Sequence, residues 1–197
     1  MSEERWRMFC AIELPEELRR RAAAHIATLC KAAPPDARVS WQRAENLHLT
    51  LKFLGEIAQN RIAYLSEASS RAAKQSQPFN LTIEGAGSFP PRGLPRVLWL
   101  GILDSSDALA QLQKHLEKEC SIEGFTREER SFSPHLTIAR IRAPQGARSI
   151  AASHQAAGFE AIEIPVRELT VMRSELGPGG SRYTAISRHE IGEAASR

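Results

Sequence analysis

A His-Leu-Thr phrase followed by an aliphatic residue occurs twice in this chain of 197 residues, in NLHLTLKFLGE and again in SPHLTIAR. The two histidines, His48 and His135, stand 87 residues apart. Apolar runs of this length predict β-strands, and side chains alternate between the two faces of a strand. Each predicted strand therefore has one apolar face for a core and one face that carries an imidazole and a hydroxyl.

In the first phrase, strict alternation places His48, Thr50 and Lys52 on one face of the strand. The opposite, core-facing side then carries Leu49, Leu51 and Phe53. Two interpretations stay open for Lys52, a contact to a ligand beside the histidine or an exposed charge near the end of the strand.

In the second phrase, His135 and Thr137 share a face, while Leu136 and Ile138 take the core side. Strict alternation assigns Arg140 to the apolar face as well. Because this arginine stands at the end of the strand, a twist or a bulge there could redirect it.

The order of the predicted elements also repeats along the chain. A strand at 6–14, a helix that begins at Pro15 and the first His-Leu-Thr strand are followed by a second helix and further strands. A strand, a helix, the second His-Leu-Thr strand, an ambiguous segment at 144–158 that has some helical character, and more strands then follow. This order indicates a duplicated unit. If the two units pack about a pseudo-twofold axis, both phrases can face one cleft.

Three local signals accompany this order. Asp104 or Ser105 is predicted to be the N-cap of the helix in the second unit. The proline-rich segment 89–96 reads as a linker between lobes or as a hairpin loop. The glycine-rich segment 176–182 lacks the phosphate-binding pattern of nucleoside triphosphate sites, so a simple loop is the prediction.

The composition is that of an ordinary globular protein, with 42% hydrophobic and 25% charged residues. A formal net charge of +3 suits an anionic ligand but is only weak support for one. Three widely spaced cysteines, Cys10, Cys30 and Cys120, do not indicate a disulfide framework or a zinc site. We find no signal-peptide pattern and no apolar run long enough for a membrane span, so we expect a cytoplasmic protein with reduced thiols.

The two histidines point to proton-transfer chemistry. A single His-x-Thr on a strand is usually structural, but two copies in matching positions of a duplicated unit favour a functional pair. Histidine titrates near pH ~6.5, so one imidazole can be neutral while the other is protonated. Such a pair serves an in-line displacement at phosphorus, and the hydroxyls of Thr50 and Thr137 could donate hydrogen bonds to non-bridging oxygens.

Other candidates are weaker. His25, His115, His154 and His189 repeat no motif and are predicted to be structural or at the surface. Phe9 and Trp41 could stack on a base, although core packing is the favoured interpretation for both. No carboxylate joins either phrase to complete a metal site, and no Gly-x-Ser-x-Gly motif of a serine hydrolase is present.

At these residues the chain resembles the 2H phosphoesterases, a family named for two H-x-T-x motifs, and within it the RNA 2′,3′-cyclic phosphodiesterases, historically called 2′-5′ RNA ligases. The resemblance includes MFCAIELP, both His-Leu-Thr phrases and SELGPGGSRY. It implies an α+β fold of two similar lobes, each with an antiparallel sheet and flanking helices, in a pseudo-twofold arrangement around a central cleft. It also implies that residues 1–197 form a single bilobal domain.

The activity that the resemblance implies is hydrolysis of an RNA or nucleotide 2′,3′-cyclic phosphate to a 2′-phosphate, without metal or cofactor. His48 would be the proton donor to the leaving oxygen and His135 the proton acceptor that activates water. Thr50, Thr137 and Arg140 would contact the substrate, and RNA ends with a cyclic phosphate would be the partner, with no membrane and no obligate protein partner. Two alternatives remain, the reverse 2′-5′ ligation and a non-catalytic protein that binds RNA ends.

Overall fold

The structure, a computed structural model, describes residues 4–178 and 180–192. Within these ranges the chain forms four α-helices and nine β-strands. The helices are α1 (Glu16–Ala32), α2 (Ile62–Lys74), α3 (Ala108–Ile122) and α4 (Ala147–Ala157). The strands are β1 (Arg5–Glu13), β2 (Val39–Trp41), β3 (His48–Ala58), β4 (Phe79–Phe89), β5 (Val97–Leu103), β6 (His135–Ile141), β7 (Ile162–Val166), β8 (Glu168–Gly177) and β9 (Gly180–Glu190).

The strands form two antiparallel sheets. The first has the order β3-β1-β8-β9 and the second the order β2-β6-β5-β4-β7. Apart from the short β2, the two orders correspond strand by strand, with β3 matching β6 and β1 matching β5. Each His-Leu-Thr strand therefore pairs with the strand that opens its own unit. The predicted α+β fold of two similar lobes with antiparallel sheets is confirmed.

The two lobes are not simply the two halves of the sequence. Strand β4 follows the second helix of the first unit, yet it lies in the sheet of β6. Strand β8 comes late in the second unit, yet it lies next to β1 in the sheet of β3. Each unit therefore contributes a strand to the sheet of the other. This exchange joins the two sheets through chain connectivity as well as through packing.

Two pairs of helices cover the sheets. Helix α2 packs against α3, and these two contact β8, β9 and β3 of the first sheet, while α1 packs against α4, which contacts β4 of the second sheet. The apolar stripe predicted for α1 is its buried face, made of Leu18, Ala22, Ile26 and Leu29. Buried side chains from both sheets join in one hydrophobic core. No helix in the described residues is long and apolar enough to cross a membrane.

The helix starts differ from their predictions by a few residues. Helix α1 begins at Glu16, and Pro15 is its N-cap rather than its first residue. Helix α3 has Asp107 as its N-cap, in a left-handed conformation with φ 57°, so the prediction of Asp104 or Ser105 is wrong. The carboxylate of Asp104 nevertheless accepts a hydrogen bond from the Leu109 backbone N–H at 2.8 Å. It therefore satisfies one of the free donors at the helix start from a position before the intervening turn.

The structure decides the interpretations that the sequence left undecided for three segments. Residues 89–96 connect β4 to β5, which pair with each other, so this segment is a hairpin loop and not a linker. The ambiguous segment 144–158 contains α4. The glycine-rich segment joins β8 to β9 in a hairpin, and Gly179 within it lies outside the described residues.

Candidate active site

A β-bulge interrupts β3 directly after the first His-Leu-Thr phrase. Thr50 lies opposite Ala11 of β1, and Lys52 lies opposite the neighbouring Cys10, so Leu51 is an extra residue in β3. An inserted residue moves every side chain beyond it to the other face of the strand. The strict alternation assumed for this strand therefore fails after Thr50.

The bulge reverses the predicted places of Lys52 and Phe53. Lys52 was expected on the histidine's face, but its side chain is 1% exposed and forms an ion pair with Glu117 at 2.7 Å. Phe53 was expected in the core, but it is 49% exposed and lines the cavity between the two motif strands. The interpretation of Lys52 as an exposed charge is therefore wrong. Lys52 is still among the residues that line the cavity, so a ligand contact stays a prediction, although its ammonium is already bound to Glu117 and to the Thr126 carbonyl.

A second bulge occupies the matching place in β6. Thr137 lies opposite Trp99 of β5, and Ala139 lies opposite the neighbouring Leu98, so Ile138 is an extra residue in β6. Arg140 is consequently exposed and lines the cavity instead of facing the core. The assignment of Arg140 to the apolar face by alternation is wrong, and the redirecting bulge that the sequence left open is present.

Both phrases face one cavity of about 550 Å³. All five side chains that were expected to transfer protons or to contact the substrate line it together: His48, Thr50, His135, Thr137 and Arg140. The strands that carry them, β3 and β6, also contact each other. The expected central cleft between the lobes therefore exists, and both histidines reach it.

The two imidazoles are held in the same way. The Nδ1 atom of His48 lies 2.8 Å from the carbonyl oxygen of Asn46, and the Nδ1 atom of His135 lies 2.8 Å from that of Ser133. A carbonyl can only accept, so Nδ1 carries the proton in both rings. Each neutral imidazole then has its lone pair on Nε2. Each histidine is thus prepared to exchange a proton through Nε2.

The surroundings of the two imidazoles differ. His48 packs beside Phe9, with ring centroids 4.7 Å apart, and edge-on to Tyr183 at 5.0 Å. Burial lowers the pKa of His48, and the hydrogen bond to the Asn46 carbonyl partly opposes this by raising it. His135 meets one aromatic ring edge-on, that of Phe89, at 5.1 Å. The pseudo-symmetry of the motifs therefore does not extend to their aromatic environment.

Several cavity residues were not predicted from the sequence. Arg7 lines the cavity and lies 4.7 Å above the ring of Phe53. Tyr183 reaches the cavity from β9, near the end of the chain, and Arg130 reaches it from the loop before β6. Alternation along β1 relates Arg7 to Phe9, and Tyr183 is the last residue of the SELGPGGSRY segment that carries the family resemblance. The lining is basic, because Glu128 is already paired with Arg130 at 3.0 Å.

The two aromatic candidates take different places. Phe9 is 3% exposed and packs in a small cluster with Ala11 and Met172, yet it also touches His48 and lines the cavity. Trp41 is partly buried against the main core. Core packing, the favoured interpretation, therefore holds for both, and Phe9 in addition forms a wall for the imidazole.

The remaining histidines lie away from this cavity. His154 is fully buried and bonds to His25 at 2.9 Å and to the Trp99 carbonyl at 3.0 Å. His115 contacts Ser76, two residues after the end of α2, and His189 contacts Ser187 of its own strand. Within residues 4–178 and 180–192, no three His, Cys, Asp or Glu side chains are grouped so that they could hold a metal ion.

Known proteins resemble the chain over most of its length. A Methanothermobacter thermautotrophicus protein named RNA 2′,3′-cyclic phosphodiesterase is 35% identical over 90% of this chain and 95% of its own. An Escherichia coli protein of the same name is 34% identical over 92% of this chain and 94% of its own. Among solved structures, E. coli LigT in complex with 3′-AMP matches with a TM-score of 0.74 and 31% identity, over 96% of this chain and all of that one.

The family assignment follows from these findings together. The sequence model of the 2′-5′ RNA ligase superfamily matches residues 14–178, which include both bulged His-Leu-Thr strands. The resemblance noted from the sequence is thereby confirmed. The chain belongs to the 2′-5′ RNA ligase superfamily.

Proposed function

We propose that this protein is an RNA 2′,3′-cyclic phosphodiesterase that hydrolyses a ribose 2′,3′-cyclic phosphate to a 2′-phosphomonoester. The observation that carries the proposal is the pair of histidines, one from each lobe, that line one basic cavity with Nδ1 fixed on a backbone carbonyl. The names of the relatives support the same activity.

In the proposed reaction, water attacks the phosphorus atom from the side opposite the 3′ oxygen. The Nε2 atom of His135 accepts a proton from this water as the new P–O bond forms. The bond from phosphorus to the 3′ oxygen breaks, and Nε2–H of protonated His48 gives its proton to that oxygen. The products are a 2′-phosphate and a 3′-hydroxyl. Both proton transfers are supplied by imidazoles, so the mechanism needs no metal ion.

Three further side chains fit a role at the phosphate. Thr50 and Thr137 each stand two residues after a histidine on the cavity face, where a hydroxyl can donate to a non-bridging oxygen. Arg140 brings a permanent positive charge to the same cavity. These groups would stabilise the charge that collects on the phosphoryl oxygens in the transition state.

Phe53 fits a role at the base. Its ring is about half exposed at the cavity, and an exposed aromatic face binds an unpaired base with little sequence preference. The guanidinium of Arg7 lies over one face of this ring, 4.7 Å from its centroid. The solved complex of E. coli LigT with 3′-AMP supports a nucleotide as a ligand of this chain.

The family resemblance, and not the geometry, is the basis for assigning His48 as the proton donor and His135 as the proton acceptor. A donor must be protonated, whereas burial lowers the pKa of His48 in the empty cavity. A bound phosphodiester carries a negative charge close to the imidazole and favours its protonated form. The carbonyl of Asn46 also accepts from Nδ1–H of that form. These two interactions would keep His48 protonated in the complex.

Product identification tests the proposal. Purified protein is incubated in EDTA with an RNA that ends in a 2′,3′-cyclic phosphate, and the isomer is assigned by ³¹P NMR. A 2′-phosphomonoester is expected. A 3′-phosphate, or no reaction, would contradict the proposal. If an RNA with a 5′-hydroxyl is added and a 2′-5′ linkage accumulates instead, the ligase alternative is the correct one.

A further inference from the structure

We propose that Lys52 and Glu117 form a buried positioning pair that holds the α3–β6 loop, residues 124–134, against the catalytic cavity. The inference rests on the function proposed above. The ammonium of Lys52 donates to Glu117 Oε2 at 2.7 Å and to the backbone carbonyl of Thr126 at 2.9 Å. The two charged side chains are 1% and 16% exposed.

The pair grips the loop at two backbone groups. Besides the Thr126 carbonyl, which Lys52 binds, the backbone N–H of Glu128 donates to Glu117 Oε2 at 3.3 Å. The other carboxylate oxygen, Oε1, accepts from the Gln113 side chain at 3.4 Å, which fixes the carboxylate on α3. The loop is therefore tied to both α3 and β3 at residues 126 and 128.

The tied point lies immediately before the part of the loop that forms the cavity wall. Residues of the loop that line the cavity are Glu128, Arg130, Ser131, Phe132 and Ser133. The last of these supplies the carbonyl that accepts from Nδ1 of His135. The segment between residue 128 and the start of β6 therefore forms one wall of the cavity. It also orients the imidazole of His135 through the Ser133 carbonyl.

A role in stability alone does not explain the pair. Moving two charges out of water is costly, and apolar residues of similar volume often replace a buried ion pair without loss of stability. In the second lobe the position that matches Lys52 is Ala139 of β6, one residue after the same kind of bulge. The bulge itself thus needs no lysine. What Lys52 adds is a connection to the loop.

Two variants separate positioning from stability. Lys52→Met leaves Glu117 without its cation, so we expect a lower Tm. Lys52→Met/Glu117→Leu removes both charges, so we expect its Tm to return close to that of the wild type. Lys52→Met removes the tie to residue 126, and the double variant removes the ties to both 126 and 128. Arg71→Met is the matched control, since it removes ion pairs to Glu119 and Glu123 at the end of α3 but leaves residues 124–134 untouched.

Limited trypsin digestion of the folded proteins measures how accessible the loop is, because Arg127 and Arg130 are cleavage sites within it. We expect cleavage at these two sites to be faster by about 10-fold or more in the double variant than in the wild type and in Arg71→Met. Steady-state kinetics on a 2′,3′-cyclic nucleotide should show kcat lowered by about 10- to 100-fold, because misplacement of a catalytic group by about 1 Å has such an effect. KM should change less.

The outcomes discriminate between the claims. If the double variant regains wild-type Tm but also has wild-type loop cleavage and wild-type kcat, the pair does not hold the loop or position the site, and the inference is wrong. If cleavage accelerates while kcat stays unchanged, the loop does not position the site, and the inference is also wrong. A wild-type protein that hydrolyses no cyclic phosphate would overturn the proposed function, while the digestion would still test the tie between Lys52 and the loop.

Discussion

Phe53 and Arg140 occupy equivalent positions in the two lobes, each five residues after the histidine of its strand. Each reaches the cavity because a single extra residue, Leu51 in β3 and Ile138 in β6, follows the threonine of its motif. The same device therefore places an aromatic ring on one side of the cavity and a guanidinium on the other. Duplication has kept the backbone geometry, while the side chains differ in chemistry.

This relationship predicts separable roles for the two residues. Base stacking on an aromatic side chain is worth about 1–3 kcal/mol, so Phe53→Ala should raise KM for a cyclic nucleotide by about 5- to 160-fold. The loss should vanish with a ribose 2′,3′-cyclic phosphate that has no base. Tyr64→Ala is the control, since Tyr64 has the same 49% exposure but does not line this cavity. An equal loss on the baseless substrate would rule out stacking.

Arg140→Met should lower kcat/KM equally for the cyclic nucleotide and for the ribose cyclic phosphate without a base. The positive charge acts on the phosphate, which both substrates contain. Arg142→Met provides the comparison, since Arg142 is also exposed but donates to Ser40 outside the cavity. We expect a fall of about 10-fold or more in kcat/KM for Arg140→Met and little change for Arg142→Met, in line with the strength of charge-assisted hydrogen bonds. Equal effects of the two variants would show that Arg140 makes no specific contact with the phosphate.

The threonines should matter less than the histidines. Thr50→Ala and Thr137→Ala each remove a hydrogen-bond donor, whereas a histidine variant removes a proton-transfer group that typically contributes about 10²–10⁴-fold. We expect both threonine variants to fold normally, because Thr50 and Thr137 face the cavity rather than the core. Steady-state kinetics with one cyclic nucleotide provide the comparison. A threonine variant with wild-type kcat and KM would have no part in catalysis.

Much of this site could be predicted from the sequence. The repeated phrase identified His48, Thr50, His135 and Thr137, because a period of two along a strand relates these residues without knowledge of the fold. It failed at Lys52 and Phe53, since a bulge depends on the register with the neighbouring strand, here β1. Arg140 was placed correctly only through the family resemblance.

Long-range pairing explains the other differences. Tyr183 lies on β9, and nothing in the local sequence relates it to His48, 135 residues earlier. It contacts the imidazole because β8 and β9 join the first sheet although they end the chain. For the same reason the element order revealed the duplication but not the exchange of β4 and β8 between the sheets. Local patterns define elements, while pairing across the chain decides which sheet receives them.

The burial of His48 predicts where the alkaline limb of the pH profile lies. Burial lowers the pKa of His48 below its ordinary value of 6.5. A proton donor works in its protonated form, so activity of the free enzyme should be lost as pH rises through this lowered pKa. The alkaline limb of kcat/KM should therefore have its midpoint below 6.5, while in kcat the bound anion should move that limb to higher pH. A kcat/KM profile whose alkaline limb has its midpoint above 6.5 would contradict the role of His48 as the proton donor.

Removal of divalent ions should leave the activity intact. The proposed proton transfers run through two imidazoles, so a cyclic nucleotide should be hydrolysed at the same rate before and after dialysis against EDTA. The control is a metal-dependent phosphodiesterase treated in the same buffer, which should lose its activity. Loss of turnover by this protein, followed by recovery on addition of Mg²⁺, Mn²⁺ or Zn²⁺, would contradict the two-histidine mechanism.

The central claim is that His48 and His135 act as a donor and an acceptor on one phosphate. His48→Ala and His135→Ala should each lower kcat by about 10²-fold or more, and the double variant should be little worse than either, since the pair acts as a unit. Circular dichroism and Tm are the controls that test whether each variant is folded.

The most direct measurement compares these two variants on a cyclic phosphate whose leaving oxygen is a good leaving group and needs no protonation. The account predicts that this substrate restores His48→Ala to near the wild-type rate and leaves His135→Ala impaired. Rescue of His135→Ala alone would reverse the two roles. Near wild-type rates for both single variants on every cyclic phosphate would show that the repeated phrase is structural, and the proposed activity would be contradicted.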